Sequence, residues 1–188
     1  MISPKYYSDY RTEELRVGKK IKEVAVYDGP LFYVSGLSRN GARPIWAVVL
    51  AVLLWVLFFT GLIAKSNLSH FVVAVLPYAL SAIGIYKVSV FSYVAVTTYL
   101  SKEVEKRQKD RLTSDSKSGV VVMLIFLTIS LVASIVYCIK NSFSFLLGDY
   151  LFLTALVLML AISVFFFIRL RSISFEEVKT DKNSDITQ

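Results

Sequence analysis

The sequence contains a single cysteine and a single histidine among its 188 residues. One cysteine cannot form an intramolecular disulfide, and two such residues leave no cluster with the spacing of a zinc site. The sequence also lacks a phosphate-binding glycine loop, a pair of catalytic carboxylates and a cofactor signature. These absences predict a protein without a metal site or a cofactor, and they favour a non-enzymatic role.

Charged residues are scarce in four long apolar stretches, none of which contains Asp or Glu: 45–64, 71–99, 118–139 and 150–168. About 20 helical residues cross a hydrocarbon core of about 30 Å. Hydrophobic residues make up 55% of the chain, which is more than globular proteins usually contain. We therefore expect an all-α integral membrane protein that folds as a four-transmembrane-helix bundle.

Basic residues are nearly absent from one side of this arrangement. Segments 1–43, 100–117 and 169–188 hold eight, six and four Lys or Arg residues, whereas the other two connections hold one each, Lys65 and Lys140. Cytoplasmic loops retain basic residues because their translocation is disfavoured. The pattern predicts that both termini are cytoplasmic.

The net charge of +7 raises the question of a nucleic-acid partner. Acidic residues are interspersed with the basic ones, and a nucleic-acid footprint requires a denser cluster of one sign. We therefore expect the lipid bilayer, and anionic lipid headgroups in particular, as the partner of the basic residues. The short loops favour a bacterial inner membrane. The first apolar stretch follows 43 polar residues, so we expect it to act as an uncleaved signal anchor.

The chain divides by composition into a cytosolic N-terminal region (1–43), a four-span membrane domain (44–168) and a disordered tail (169–188). A short helix is expected from Thr12, which can cap a first turn. Residues 24–34 form two β-branched and aromatic runs around an Asp-Gly-Pro turn, and they predict a small β-hairpin on the amphipathic N-terminal element.

The second span is longer than a bilayer requires. Helix-forming residues continue through the cytosolic loop 100–117, so we expect one helix over 71–112 that projects as a stalk. Pro77 and Gly84 interrupt this helix and are candidate functional positions. An ordinary kink is favoured over a broken transporter helix, because only one span carries such an interruption.

Lys87 is the one ionisable residue well inside a predicted span, and it is the main candidate functional residue. Three interpretations remain open for it. Its amino group can reach the cytosolic headgroups, it can pair within the bundle, or it can line an ion or substrate pathway.

Two pairs of small residues, each four positions apart, are expected to pack helices together. Ala47 and Ala51 lie in the first span, and Ser130 and Ser134 lie in the third. They could pack within the chain or in a homo-oligomer. We expect a membrane-protein partner or a second copy of this chain.

His70, Cys138 and Asp149 all map to the outer ends of spans, where a thiol, an imidazole and a carboxylate could form a catalyst. Short loops place many residues at this depth, so structural roles are favoured. The leading hypothesis is an interaction or regulatory protein of the immunity or exclusion type. The chain resembles such proteins only in its size and its number of spans. The alternative is a channel or transporter subunit with a pathway near Lys87.

Overall fold

The computed structural model describes residues 4–17, 20–36, 44–64, 66–68, 71–101, 103–140 and 146–178. Four of its helical segments are long and apolar enough to cross a membrane: Ile45–Ile63, Val72–Tyr99, Lys106–Lys140 and Leu147–Arg171. The prediction of four such helices is confirmed, and their length and composition indicate a multi-pass membrane protein.

The helices are, in chain order, α1 (Ile45–Ile63), α2 (Val72–Leu80), α3 (Ala82–Ser101), α4 (Lys106–Asp110), α5 (Ser116–Lys140) and α6 (Leu147–Arg171). A π-helical turn, Arg111–Asp115, joins α4 to α5. Helix α1 packs between α3 and α6, and α5 packs on α2, α3 and α6. The described helices thus form a four-membered ring in cross-section, with α2 and α3 as one member.

Apolar side chains fill the centre of this ring and also cover its outside. The largest fully buried ones include Leu54, Tyr78, Met123, Phe152 and Leu156. Valine, leucine and isoleucine residues remain exposed on the outward faces of all four segments. A helix that is hydrophobic on every side suits a membrane, where lipid covers the outer face.

The second membrane segment is interrupted by a turn at Ser81, which separates α2 from α3. Pro77 lies inside α2, four residues before the break. The Ser81 hydroxyl donates a hydrogen bond to the carbonyl of Tyr78 (2.6 Å), and its backbone N–H contacts the carbonyls of Pro77 and Tyr78. Proline lacks a backbone N–H and so weakens the helix around it. The Ser81 groups satisfy carbonyls where α2 ends.

The described part of the chain also contains five strands: β1 (Tyr10–Val17), β2 (Lys20–Tyr27), β3 (Leu31–Ser35), β4 (Glu103–Glu105) and β5 (Ser174–Glu177). Strand β3 is the centre of an antiparallel sheet with the order β4–β3–β5. It precedes α1, whereas β4 follows α3 and β5 follows α6. The three polar regions of the chain therefore meet at one end of the bundle, which we call the strand-bearing end.

The hairpin predicted over 24–34 is wrong in its pairing. Strand β2 pairs with β1, in a register from Tyr10 opposite Tyr27 to Val17 opposite Lys20. Strand β3 pairs instead with β4 and β5. The observed arrangement gives β2 a partner along all eight of its residues and gives β3 a partner on each side. It therefore satisfies more backbone groups than a short hairpin around the turn would satisfy.

The short helix predicted from Thr12 is also wrong, because Thr12 lies within β1. A 3-10 helix, Pro4–Asp9, precedes that strand. An isolated helix of two or three turns is marginal in water, whereas an eight-residue strand with a complete partner forms a regular ladder. Long-range pairing therefore outweighs the local preference for a helix.

The continuous stalk helix predicted over 71–112 does not form. Helix α3 ends at Ser101, and the chain is extended in β4 before α4 begins. Val104 of β4 is fully buried beneath the sheet. Burial of a valine side chain contributes about 1.5 kcal/mol or more. A charge pair along an exposed helix contributes only about 0.2–0.5 kcal/mol, so the strand is favoured.

The tail predicted to be disordered, 169–188, begins within α6 and contains β5. Val34 pairs with Phe175, and the hydroxyl groups of Ser35 and Ser174 lie 2.6 Å apart. Residues 179–188 lie outside the described part of the chain. Helix α6 is therefore followed closely by strand β5, which pairs with β3 of the N-terminal region.

Candidate functional site at the strand-bearing end

The β1–β2 hairpin is attached to the rest of the strand-bearing end through two tyrosines. The Tyr10 hydroxyl donates a hydrogen bond to a carboxylate oxygen of Glu105 (2.8 Å), and the backbone N–H of Lys106 donates to the Tyr27 hydroxyl (3.1 Å). The two rings meet edge to face with centroids 5.2 Å apart. The Lys106 amino group also lies 3.4 Å from the largely buried carboxylate of Asp9. These contacts clamp one end of the hairpin.

Burial, followed by the hydrogen bond to Glu105, raises the pKa of Tyr10 to about 12. The hydrogen bond needs the protonated phenol, since a phenolate would face the Glu105 carboxylate. Because the folded-state pKa exceeds the unfolded value of about 10, the stabilisation is complete below pH 10. It is lost as the pH rises through about 12.

We predict that the hairpin loosens between about pH 10 and pH 12. The distance between spin labels at Val24 and Ser114 should broaden over this range. Tyr10→Phe should show a broad distribution already at pH 8 and little further change, whereas Tyr93→Phe, which alters an exposed ring on α3, should behave like the parent protein. An unchanged alkaline transition in Tyr10→Phe would contradict the assignment.

The inner face of the three-stranded sheet packs onto the helix ends. Phe32 of β3 and Val104 of β4 are opposite one another in the register, and both are buried. The Lys109 amino group lies 3.7 Å from the centroid of the Phe32 ring. A cation over an aromatic face contributes about 0.5–2 kcal/mol, so this lysine supports the sheet from α4.

A second aromatic group lies where α1 begins and α6 ends. The Trp46 ring packs on Phe165 and Phe166, with centroid distances of 5.7 and 5.6 Å. The Arg169 guanidinium lies 5.8 Å from the Trp46 ring. Tryptophan and arginine in this arrangement are typical of the membrane–water interface.

The structure brings Lys87 and Gly84 together with the start of α5. The Lys87 amino group donates a hydrogen bond to the Ser118 hydroxyl (2.9 Å) at an exposed position. An added Cβ at Gly119 would lie 2.5 Å from the Cβ of Lys87. An added Cβ at Gly84 would lie 2.6 Å from the Gly119 carbonyl oxygen. Gly84 is thus a site of close contact between α3 and α5, three residues after the turn at Ser81.

The paired small residues are buried within the chain, and two of them, Ala47 and Ser130, form hydrogen bonds to other helices. Ala47 and Ala51 are buried on α1, and the carbonyl of Ala47 accepts a hydrogen bond from Ser92 of α3 (2.9 Å). Ser130 donates from α5 to the carbonyl of Ala74 on α2 (2.7 Å), and Ser134 donates to the carbonyl of Ser130 (2.8 Å). Ser92 was not predicted, although a serine within an apolar span is a usable signal for such a bond.

Among the residues that the structure describes, no catalytic group is formed by the candidates Asp149 and Cys138. The Asp149 carboxylate is fully buried and accepts hydrogen bonds from the Ser66 hydroxyl (2.5 Å) and from the backbone N–H groups of Leu68 (3.2 Å) and Leu146 (2.8 Å). Cys138 is partly buried. The side chain of His70 lies outside the described residues. Asp149 holds the α1–α2 connection against the start of α6.

Within the described ranges, no group of three or more His, Cys, Asp and Glu side chains could hold a metal ion. The features that stand out chemically at the strand-bearing end are therefore the hairpin with its tyrosine clamp and the neighbourhood of Lys87. In comparisons with protein-family models, curated proteins and solved structures, nothing matched this chain.

Proposed function

We propose that this chain is a non-enzymatic multi-pass membrane protein of the interaction or regulatory type, a class that includes immunity and exclusion proteins. In this proposal the β1–β2 hairpin binds a protein partner. The observation that carries the proposal is the exposure of the hairpin. In the described part of the chain, β1 and β2 pair only with each other, so each leaves one edge open. Open strand edges are templates for the addition of a partner strand.

The chemistry of one hairpin face also supports a protein partner. Val24 and Val26 of β2 are 38% and 37% exposed. They are opposite Glu13 and Arg11 of β1, whose side chains form an ion pair. Cross-strand partners and residues two apart share a face, so the two valines and the ion pair form one surface. The partner that fits this surface has an apolar centre and a charged rim.

We further propose that the strand-bearing end is cytoplasmic and that the membrane is a bacterial inner membrane. The three segments that meet there hold 18 of the 21 Lys and Arg residues. This asymmetry supports the orientation by the positive-inside rule. Anionic headgroups would add attraction to the same end.

The packing does not favour a conduit past Lys87. Its amino group lies with Ser118 at an exposed position, and the centre of the described bundle is filled by Tyr78, Met123, Phe152 and other buried side chains. An ion pathway along the bundle axis would require these side chains to move apart.

The proposal is tested with a photo-crosslinking amino acid placed at Val24 or Val26 in the full chain in its native membrane. We expect a protein adduct at both positions, formed with a different membrane protein or with a second copy, which the adduct mass distinguishes. A reporter active only outside the cytoplasm, fused after Gln188, should be inactive in the same cells.

The matched variants are Ala25→Glu and the double variant Val24→Glu/Val26→Glu, read with the crosslinker at Glu13, which is opposite Val24 on the same face of the hairpin. Ala25 is exposed on the opposite face of β2. The double variant should lose at least about nine-tenths of the adduct, since the partner would have to desolvate two added carboxylates, and Ala25→Glu should retain it. Equal adducts in both variants, or none in the parent protein, would refute the hairpin as the binding surface.

A further inference from the structure

A cavity of about 320 Å³ opens on the outer surface between α3 and the π-helical turn before α5. The described residues that line it are Tyr86, Lys87, Val90, Arg111 and Asp115. We call it the Lys87–Arg111 pocket. It is separate from the hairpin surface, and it contains the only lysine that lies inside a predicted span.

The pocket combines two cationic side chains with one carboxylate, so its formal charge is positive. The Lys87 amino group is positioned by the Ser118 hydroxyl, which in turn donates to the backbone carbonyl of Asp115 (2.9 Å). The stem of Lys87 lies against Gly119. The structure thus holds the lysine at a defined point of the pocket lining, to which Arg111 also contributes.

The depth of the pocket is that of a lipid headgroup. From Phe71 to Lys87, α2 and α3 advance roughly 24 Å at 1.5 Å per residue, which is about four-fifths of a hydrocarbon core of about 30 Å. Ser118, the hydrogen-bond partner of Lys87, is the first residue of the third apolar stretch. The start of the third apolar stretch therefore places the pocket at the edge of the apolar region, whereas the stretch that contains Lys87 continues to residue 99.

The surface below the pocket is apolar and exposed. Ile83 lies four residues before Lys87 and thus on the same face of α3. It is 51% exposed, and the neighbouring Tyr86 is 64% exposed. An acyl chain can lie along this face while its phosphate reaches Lys87 and Arg111.

We propose that the Lys87–Arg111 pocket binds the phosphate diester of an anionic glycerophospholipid, with Tyr86 and Ile83 against its acyl chain. Charge-assisted hydrogen bonds from an ammonium and a guanidinium group suit a phosphate. Asp115 accepts a hydrogen bond from a headgroup hydroxyl, which favours phosphatidylglycerol over phosphatidylcholine. The inference depends on the membrane placement of the helices and not on the hairpin partner.

The test uses the full chain, purified in neutral detergent, with native mass spectrometry of bound lipid and titration of its thermal midpoint. We expect phosphatidylglycerol to bind and to raise the midpoint, and phosphatidylcholine to do neither at the same concentration. Lys87→Gln and Arg111→Gln should each weaken phosphatidylglycerol binding about tenfold. The matched control is Lys117→Gln, which removes the same charge from an exposed residue outside the pocket and should change binding less than twofold.

Arg111→Gln keeps the test valid if Lys87→Gln perturbs the contact with Gly119. Equal effects of Arg111→Gln and Lys117→Gln on phosphatidylglycerol binding would refute the pocket as the lipid site. Such a result would indicate general electrostatic attraction between the basic residues and the lipid. Binding of inorganic phosphate or glycerol phosphate with the same dependence on Arg111 would overturn the lipid assignment. Crosslinking at Val24 should persist in the pocket variants, so loss of lipid and loss of the protein partner give different results.

Discussion

Replacing Gly84 with alanine should lower the stability of the purified protein by about 3 kcal/mol, at the upper end of the usual effect of overpacking. The new Cβ would lie 2.6 Å from the carbonyl oxygen of Gly119 and 2.6 Å from the Cβ of Met123. These atoms belong to the backbone or are bonded directly to it. No rotation of a side chain can relieve the contact, so α3 and α5 must separate.

The sign of the effect is diagnostic. Helix propensity alone makes Gly→Ala within a helix favourable by about 1 kcal/mol. Unfolding in an SDS titration, followed by tryptophan fluorescence, measures the difference in unfolding free energy between Gly84→Ala and the parent protein. Gly119→Ala should be destabilising as well, because its Cβ would meet the Cβ of Lys87 at 2.5 Å.

Ile83→Ala is the matched control for Gly84→Ala. Ile83 is the preceding residue on α3, and its side chain is half exposed on the outward face. Its truncation should change stability by no more than about 0.5 kcal/mol. A Gly84→Ala variant that is as stable as the parent protein, or more stable, would show that the two helices are not in close contact.

The apolar helices were predictable because each membrane segment carries its own signal. A run of about 20 uncharged residues satisfies its backbone locally as a helix and covers its side chains with lipid. Neither requirement depends on distant residues. The bounds of α1, Ile45–Ile63, accordingly differ by only one residue from the predicted stretch 45–64.

The strand-bearing end was less predictable because its partners are far apart in sequence. Phe32 pairs with Val104 and Glu177, and Tyr10 bonds to Glu105, 95 residues away. The short runs around Asp28 indicated strands correctly. The turn between them suggested that β2 and β3 pair with each other. No residue within that segment indicates the actual partners, which are β1 for β2 and β4 and β5 for β3.

Lys87 illustrates the same limit at the level of a site. Its position inside a predicted span made it a candidate, but its partners, Ser118 and Gly119, come from another helix. Gly84 was noted as a possible kink, whereas its close contact with α5 depends on Gly119. A glycine in each of two apolar spans was the available signal for this packing.

Asp149→Ala should cause a second large loss of stability, about 2–4 kcal/mol, at the opposite end of the bundle. The substitution removes the acceptor of three hydrogen bonds, from the Ser66 hydroxyl and from the N–H groups of Leu68 and Leu146. Loss of a helix cap costs about 1 kcal/mol, and each buried donor left without a partner adds about 1–3 kcal/mol. Ser66 and Leu68 are both buried. The Leu68 N–H keeps its hydrogen bond to the Ser66 hydroxyl oxygen (3.0 Å), whereas the bonds to the carboxylate are lost.

Hydrogen exchange separates this role from a general loss of packing. In Asp149→Ala the amides of Leu68 and Leu146 should exchange faster than those in the middle of α1 and α5, because the α1–α2 connection detaches from α6 first. Asp149→Asn keeps one acceptor oxygen and should lie between the parent protein and Asp149→Ala. Asp28→Ala, at an exposed aspartate of the other end, should leave both amides unchanged. Unaltered protection of Leu68 in Asp149→Ala would mean that the carboxylate does not hold the connection, and the catalytic interpretation of Asp149 would then regain its place.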